Sequence, residues 1–146
     1  MEKDRFLGDS ALIATSIFAT LIGMNYLLQV GFVPKAIAQP NEVLAAFTMN
    51  NPDSICWMLE MFGWGFLGVA LWLVISAFDN FKFGKIIKGL IILNGVGSIV
   101  ASVLAALLPS SLLLQIPGLI AYFVWNILIW VIMILVIIDL RKNLQK

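Results

Sequence analysis

Residues 116–138, IPGLIAYFVWNILIWVIMILVII, decide the fold, because this stretch contains no charged residue. About 20 consecutive apolar residues let a helix cross a hydrocarbon core about 30 Å thick. Comparable apolar stretches run over about 10–33, 55–78 and 86–108. None of the four shows the alternation of apolar and polar residues that is typical of membrane-barrel strands. The sequence therefore predicts an all-α protein, a four-transmembrane-helix bundle that forms a single integral membrane domain over residues 1–146.

The composition of the whole chain agrees with a membrane protein. Of its 146 residues, 62% are hydrophobic and 12% are charged, and the mean hydropathy is +1.03. Soluble domains are about half apolar and about a quarter charged. The chain has no histidine and a single cysteine, Cys56, so it lacks the commonest metal ligand, the commonest general base and an internal disulfide. We therefore expect no catalytic residue, no metal and no cofactor.

The basic residues are divided unevenly between the predicted loops. Eight of the nine lie in the N-terminus, the second loop and the C-terminus, and only Lys35 lies in the first loop. Because positive charge is retained on the cytoplasmic side, both termini are predicted to be cytoplasmic, and residues 34–54 and 109–115 to face outward. The eight residues are Lys3, Arg5, Lys82, Lys85, Lys88, Arg141, Lys142 and Lys146.

This distribution also bears on localisation and partners. We expect a multi-pass protein of a cell membrane, in a prokaryotic plasma membrane, with the lipid bilayer as its first partner. Four short helices are few for a lone transporter, so we expect a homo-oligomer or a subunit beside another membrane protein. Nucleic acid is not expected as a partner, because the basic residues follow the membrane edges and form no recognisable binding module.

The first outer loop carries signals for helix starts and stops. Pro34 is predicted to end the first helix. The segment NEVLAAFTM, residues 41–49, has apolar residues at helical spacing, so it predicts a short interfacial helix on the outer membrane surface, with Asn41 as its cap. Asp53 or Ser54 is predicted to cap the second helix.

Helical spacing predicts which faces make contacts. In the second helix, Glu60 and Gly63 project to one side and Gly65 and Gly68 to another, which indicates protein neighbours on two sides. The third helix has a seam of small and polar residues that is typical of close helix packing. The seam consists of Asn94, Gly97, Ser98, Ala101, Ser102 and Ala105.

One acid, Glu60, lies inside the apolar stretch SICWMLEMFGWGFLG at residues 54–68. A charge near the membrane centre costs about 2.5–3.5 kcal/mol, so Glu60 should face the bundle interior. At about 1.5 Å per residue, most intramembrane polar groups lie about 6–15 Å below the outer helix ends. We therefore predict a ligand-binding polar pocket in the outer half of the bundle. Its residues are Glu60, Asn25, Gln29, Trp64, Tyr122, Asn126 and Ser102.

A second interpretation of the same residues is structural. Amides in membrane helices often hold helices together, at about 0.6 kcal/mol each, and this explanation applies to Asn94 first and then to Asn25, Gln29 and Asn126. Glu60 differs, because a neutral glutamine would serve as well without the cost of ionisation. The sequence leaves Glu60 open between a site and a satisfied structural acid.

A resemblance adds to the expected architecture. Asn25 with Gln29, Asn51-Pro52, and Glu60 followed by Gly63-Trp64 resemble small uncharacterised four-helix integral membrane proteins of prokaryotes. The resemblance implies a four-helix architecture and no particular activity.

Three classes of function follow from the sequence. The first is a small-molecule or lipid-binding or transport component, with its site around Glu60. The second is an accessory, anchoring or immunity-type membrane protein without a ligand. The third is an intramembrane enzyme, for which a chain without histidine offers few acid–base groups.

Overall fold

The computed structural model of the chain describes residues 2–36, 42–107 and 116–144, and in this part of the chain it contains helices and turns but no strand. Four helices are long and apolar enough to cross a membrane, as predicted. The helices are α1 (Glu2–Leu27), a π-helical turn (Leu28–Phe32), α2 (Val33–Ala36), α3 (Glu42–Ala45), α4 (Ile55–Leu73), a 3-10 turn (Ile75–Phe78), α5 (Gly84–Leu107) and α6 (Ile116–Leu144).

The first span extends further at both ends than the sequence predicted. It begins at Glu2 instead of about residue 10, and its exposed first turns carry an Arg5–Asp9 ion pair of 3.9 Å across one helical turn. Pro34 does not end the helix but lies within α2, directly after the π-helical turn. A proline ring clashes with the carbonyl four residues earlier in a regular α-helix. The wider π turn supplies the local adjustment that lets the helix continue.

The loop between α2 and α4, named the outer loop here for the side it is predicted to face, is less helical than predicted. Its described part contains one helical turn, α3, followed by turns through Asn50. The predicted cap Asn41 lies outside the described residues. Of the two candidate caps for α4, the structure uses Ser54, whose hydroxyl accepts a hydrogen bond of 3.0 Å from the Trp57 N–H.

The central element is α4, which packs against α1 on one face and α5 on the other, as predicted. An added Cβ at Gly63 would lie 2.9 Å from the Ile22 side chain of α1. An added Cβ at Gly68 would lie 3.1 Å from the Gly95 Cα of α5. Glycine therefore lets both neighbours approach the α4 backbone closely.

The contact face of α5 is rotated from the predicted seam. Gly95 and Ser98 are buried towards α4, whereas Gly97 has no atom within 4 Å of an added Cβ. Ala101 and Ala105 are only half-buried. Below Gly95, towards the start of α5, a small apolar core forms around Ile87, Ile91 and Ile132. The seam pattern therefore identified the right helix but placed the centre of its contact about one residue away.

The last span, α6, packs mainly against α5. Trp125 donates a hydrogen bond of 2.9 Å from its indole nitrogen to the Ser98 hydroxyl. Near the other end of α6, the Asp139 carboxylate accepts a hydrogen bond of 2.9 Å from the backbone N–H of Phe83, just before α5. These two bonds fix both the outer and the opposite half of α6 against α5.

Candidate functional site

The acid Glu60 lies in the interior of the bundle, with 3% of its surface exposed. Its carboxylate accepts two hydrogen bonds. The Asn25 side-chain nitrogen of α1 donates to Oε2 at 2.7 Å, and the Trp64 indole nitrogen, one turn further along α4, donates to Oε1 at 2.9 Å. Glu60 was predicted to face the bundle interior, and Asn25 and Trp64 are two of the residues predicted to lie around it.

Asn25 leaves one polar atom unused. The residue is completely buried, and its side-chain oxygen accepts no hydrogen bond from the described residues. Its nitrogen also lies 3.5 Å from the Met49 sulfur in the outer loop. A buried carbonyl oxygen without a partner costs about 1–3 kcal/mol, so this oxygen is a ready acceptor for a donor that enters the site.

Glu60 has no cationic partner among the residues that the structure describes. Within residues 2–36, 42–107 and 116–144, the ion pairs join Arg5 to Asp9 and Lys88 to Asp79, far along the chain from Glu60. Both donors to Glu60 are neutral groups. A buried carboxylate without a cation is expensive, so the site favours a ligand that brings positive charge or N–H and O–H donors.

Aromatic rings surround the carboxylate on the side of α6. Trp64 contacts Trp125 edge-to-face with ring centres 4.9 Å apart, and Phe18 of α1 lies 5.2 Å from Trp64. Tyr122 lies 5.9 Å from Trp125. The Tyr26 phenol is within electrostatic range of both Glu60 and Tyr122. The site thus combines one acid with a group of electron-rich rings, which attract cations at their faces.

Gln29 lies one helical turn beyond Asn25 and binds the outer loop instead of Glu60. Its side-chain nitrogen donates a hydrogen bond of 2.6 Å to the Phe47 carbonyl of the outer loop. The loop is also held by the Asn51 side chain, which donates to the Ala45 carbonyl at 2.7 Å. Gln29 therefore fastens the segment that carries Met49 over the Glu60 site, and it does not contact Glu60 itself.

Ser102 and Asn126 bind backbone groups near the site. The Ser102 hydroxyl is within hydrogen-bonding distance of the Met61 carbonyl of α4, at 2.7 Å, and of the Ser98 carbonyl of its own helix, at 2.8 Å. The Asn126 side chain donates to the Tyr122 carbonyl of its own helix at 2.9 Å. The structure thus brings Asn25 and Trp64 to Glu60, Tyr122 to its aromatic surroundings, and Ser102 to a helix contact.

Three residues at the site were not predicted from the sequence: Met49, Phe18 and Tyr26. Phe18 lies on the same helical face as Ile22 and Asn25, so helical spacing could have indicated it. Tyr26 follows Asn25 directly and is half exposed, which is also typical of a membrane-interface tyrosine. No signal could have indicated Met49, because the path of an irregular loop is not encoded in a periodic pattern.

The chain matches no protein-family model, and neither a curated protein nor a solved structure is similar to it. The chemistry of the site therefore has to be argued from its own side chains.

Proposed function

We propose that this multi-pass membrane protein binds a small polar molecule or a lipid head group at Glu60, as a binding or transport component. The observation that carries the proposal is the imbalance at the site. In the described part of the chain, a buried carboxylate without a cationic partner lies beside a buried amide oxygen without a donor. A ligand with a positive charge or with hydrogen-bond donors would supply a partner for the carboxylate and for the amide oxygen.

The choice of an acid at position 60 supports a ligand over simple helix adhesion. Glutamine could keep both contacts if the Asn25 amide turned over: its oxygen would accept from Trp64 and its nitrogen would donate to the Asn25 oxygen. It would carry no charge into the membrane. Polar contacts of this kind contribute about 0.6 kcal/mol on average, which is less than the cost of placing a charge there. The presence of an acid at position 60 is therefore better explained by ligand binding than by helix adhesion alone.

Access to Glu60 would pass through the outer loop. Glu60 and Asn25 are closed from the surface, and Met49 lies against Asn25 from the loop. The loop is held to α1 by the bond between Gln29 and the Phe47 carbonyl. Breaking this bond and displacing Met49 is the smallest movement that we expect to open the site.

A specific observation favours the second candidate, a structural membrane protein without a ligand. Both carboxylate oxygens of Glu60 already have partners on α1 and α4. In that case Glu60 joins the first two spans, and the protein acts as an anchor or accessory subunit. The two candidates differ in what the neutral substitution Glu60→Gln does.

The test is native mass spectrometry of the protein released from membranes, which detects bound lipids and small molecules by mass. If Glu60 belongs to a ligand site, we expect a defined adduct on the wild type that is lost in Glu60→Gln, with thermal stability retained. Asp139→Asn is the matched control, because it neutralises the other buried acid at the opposite end of the bundle. Identical adducts in the wild type and Glu60→Gln would contradict the proposal and leave the structural candidate.

A further inference from the structure

A second group of charges lies at the opposite end of the bundle from Glu60. The Lys82 ammonium, from the connection between α4 and α5, lies 5.4 Å from the centre of the Phe83 ring. The Lys142 ammonium, from the last turns of α6, lies 5.8 Å from the centre of the same ring. Two segments that are far apart in the chain thus direct like charges to one aromatic side chain.

Phe83 is held in place by buried contacts. Its backbone N–H donates to Asp139, a carboxylate with 2% of its surface exposed. The next residue must be glycine, because an added Cβ at Gly84 would lie 2.0 Å from the Phe78 carbonyl oxygen. The Asp139 carboxylate accepts its hydrogen bond from the Phe83 backbone N–H, and it forms no ion pair with Lys142 in the described part of the chain. The position of the ring is therefore fixed independently of the lysines.

The two lysines keep their positive charge uncompensated. Both are exposed, and neither has an acidic partner among the described residues. Their neighbour Lys88 differs, since it forms an ion pair with Asp79. Two uncompensated ammonium groups beside one ring raise the positive potential of this surface. An anion bound there would lower that potential and accept charge-assisted hydrogen bonds.

We propose that Lys82, Lys142 and Phe83 form a binding site for a phosphate group, which the two ammonium groups attract. Lysine binds phosphate as a point charge, and the Phe83 ring offers an apolar surface to whatever the phosphate is attached to. At a helix end beside apolar spans, an anionic phospholipid offers both a phosphate and an apolar part, whereas a soluble inorganic phosphate offers the phosphate alone. The site is separate from Glu60 and does not depend on the proposal made for it.

The test compares lipid binding by native mass spectrometry for the wild type and Lys82→Gln/Lys142→Gln. Phosphatidylglycerol and zwitterionic phosphatidylcholine are the two lipid probes. We expect preferential retention of phosphatidylglycerol, weakened about fivefold for each lysine removed. The control is Lys85→Gln/Arg141→Gln, which removes the same charge from neighbouring exposed positions that do not contact the ring. This control should retain most of the preference.

Further measurements distinguish the source of the phosphate and keep the proposal falsifiable. Competition by inorganic phosphate would assign the site to a soluble phosphate, whereas retention of the lipid in its presence would assign it to the head group. Phe83→Leu keeps an apolar side chain but removes the ring, and it should weaken binding while thermal stability is retained. Equal losses in the two double variants, or no preference for phosphatidylglycerol, would overturn the proposal.

Discussion

At the residue scale, the contact between α4 and α5 depends on a glycine that has no room for a side chain. An added Cβ at Gly95 would lie 2.2 Å from the Trp72 indole nitrogen, which donates a hydrogen bond of 3.1 Å to the Ile91 carbonyl. Gly95→Ala should displace Trp72, break this bond and destabilise the protein by about 1–3 kcal/mol. Gly97→Ala is the control, because its Cβ would meet open space. A thermal-unfolding series in detergent that ranks the two variants equally would contradict this packing.

The coupling between Asn25 and Glu60 can also be measured at this scale. A double-mutant cycle with Asn25→Ala and Glu60→Ala isolates the energy of their 2.7 Å hydrogen bond, because alanine removes the donor in one variant and the acceptor in the other. Hydrogen bonds to charged groups contribute about 1.5–3 kcal/mol, and neutral contacts in membranes about 0.6 kcal/mol. We expect the larger value from equilibrium unfolding. A value near the neutral average would indicate an ordinary polar contact between the two helices and would favour the structural candidate.

How far the site could be predicted also differs from residue to residue. Glu60, Asn25 and Trp64 were found from helical spacing and depth, because both quantities follow directly from regular geometry. Gln29 and Asn126 share that depth, yet their side chains bond to the outer loop and to their own helix. Periodicity gives the direction of a side chain, but it does not give the nearest partner.

At the scale of elements, α6 depends on Asp139 for its attachment to the start of α5. Asp139→Ala would leave the buried Phe83 N–H without an acceptor, at a cost of about 1–3 kcal/mol. We expect faster hydrogen exchange in the first turn of α5 and in the last turns of α6, with the outer halves unchanged. Asp139→Asn keeps an acceptor oxygen and should lie close to the wild type. Uniform exchange changes along α6 would show that this bond does not act locally.

The existence of the helices was predictable and their ends were not. Four long apolar stretches suffice to predict four spans, because backbone groups in lipid must be satisfied within helices. The ends depend on local chemistry. Pro34 was expected to stop α1, but the π turn Leu28–Phe32 accommodates it. The seam of α5 was offset because small residues lie on adjoining faces, and only the position of α4 decides between Gly95 and Gly97.

At the scale of the whole molecule, the exposed surface is largely apolar. Large side chains of α6 such as Ile120, Phe123 and Trp130 are more than half exposed. The first span also exposes a small-residue stripe at Ser16 and Thr20, beside a shallow groove on the face of α1 that points away from Asn25. Surfaces of this kind are stable against lipid tails or against another membrane helix.

The arrangement of the helices places all basic clusters at one end of the bundle. Asn25 pairs with Glu60, and Ile22 approaches Gly63, so α1 runs antiparallel to α4. The contact between Asp139 and Phe83 places the end of α6 beside the second connection. The N-terminus, the second connection and the C-terminal helix end therefore share one end of the molecule, and the described parts of these segments hold seven of the nine basic residues.

This shared end leads to the prediction of orientation. Because basic residues resist translocation, the shared end should be cytoplasmic and the Glu60 site should face outward. Reporter fusions after residue 146 and within the second connection should report the cytoplasm, and a fusion near Asn50 should report the outside. Cysteine labelling at the same positions in a Cys56→Ala background is an independent measurement. An outward C-terminus would invert the molecule and place the Glu60 site in the cytoplasmic half, where it would meet a different set of ligands.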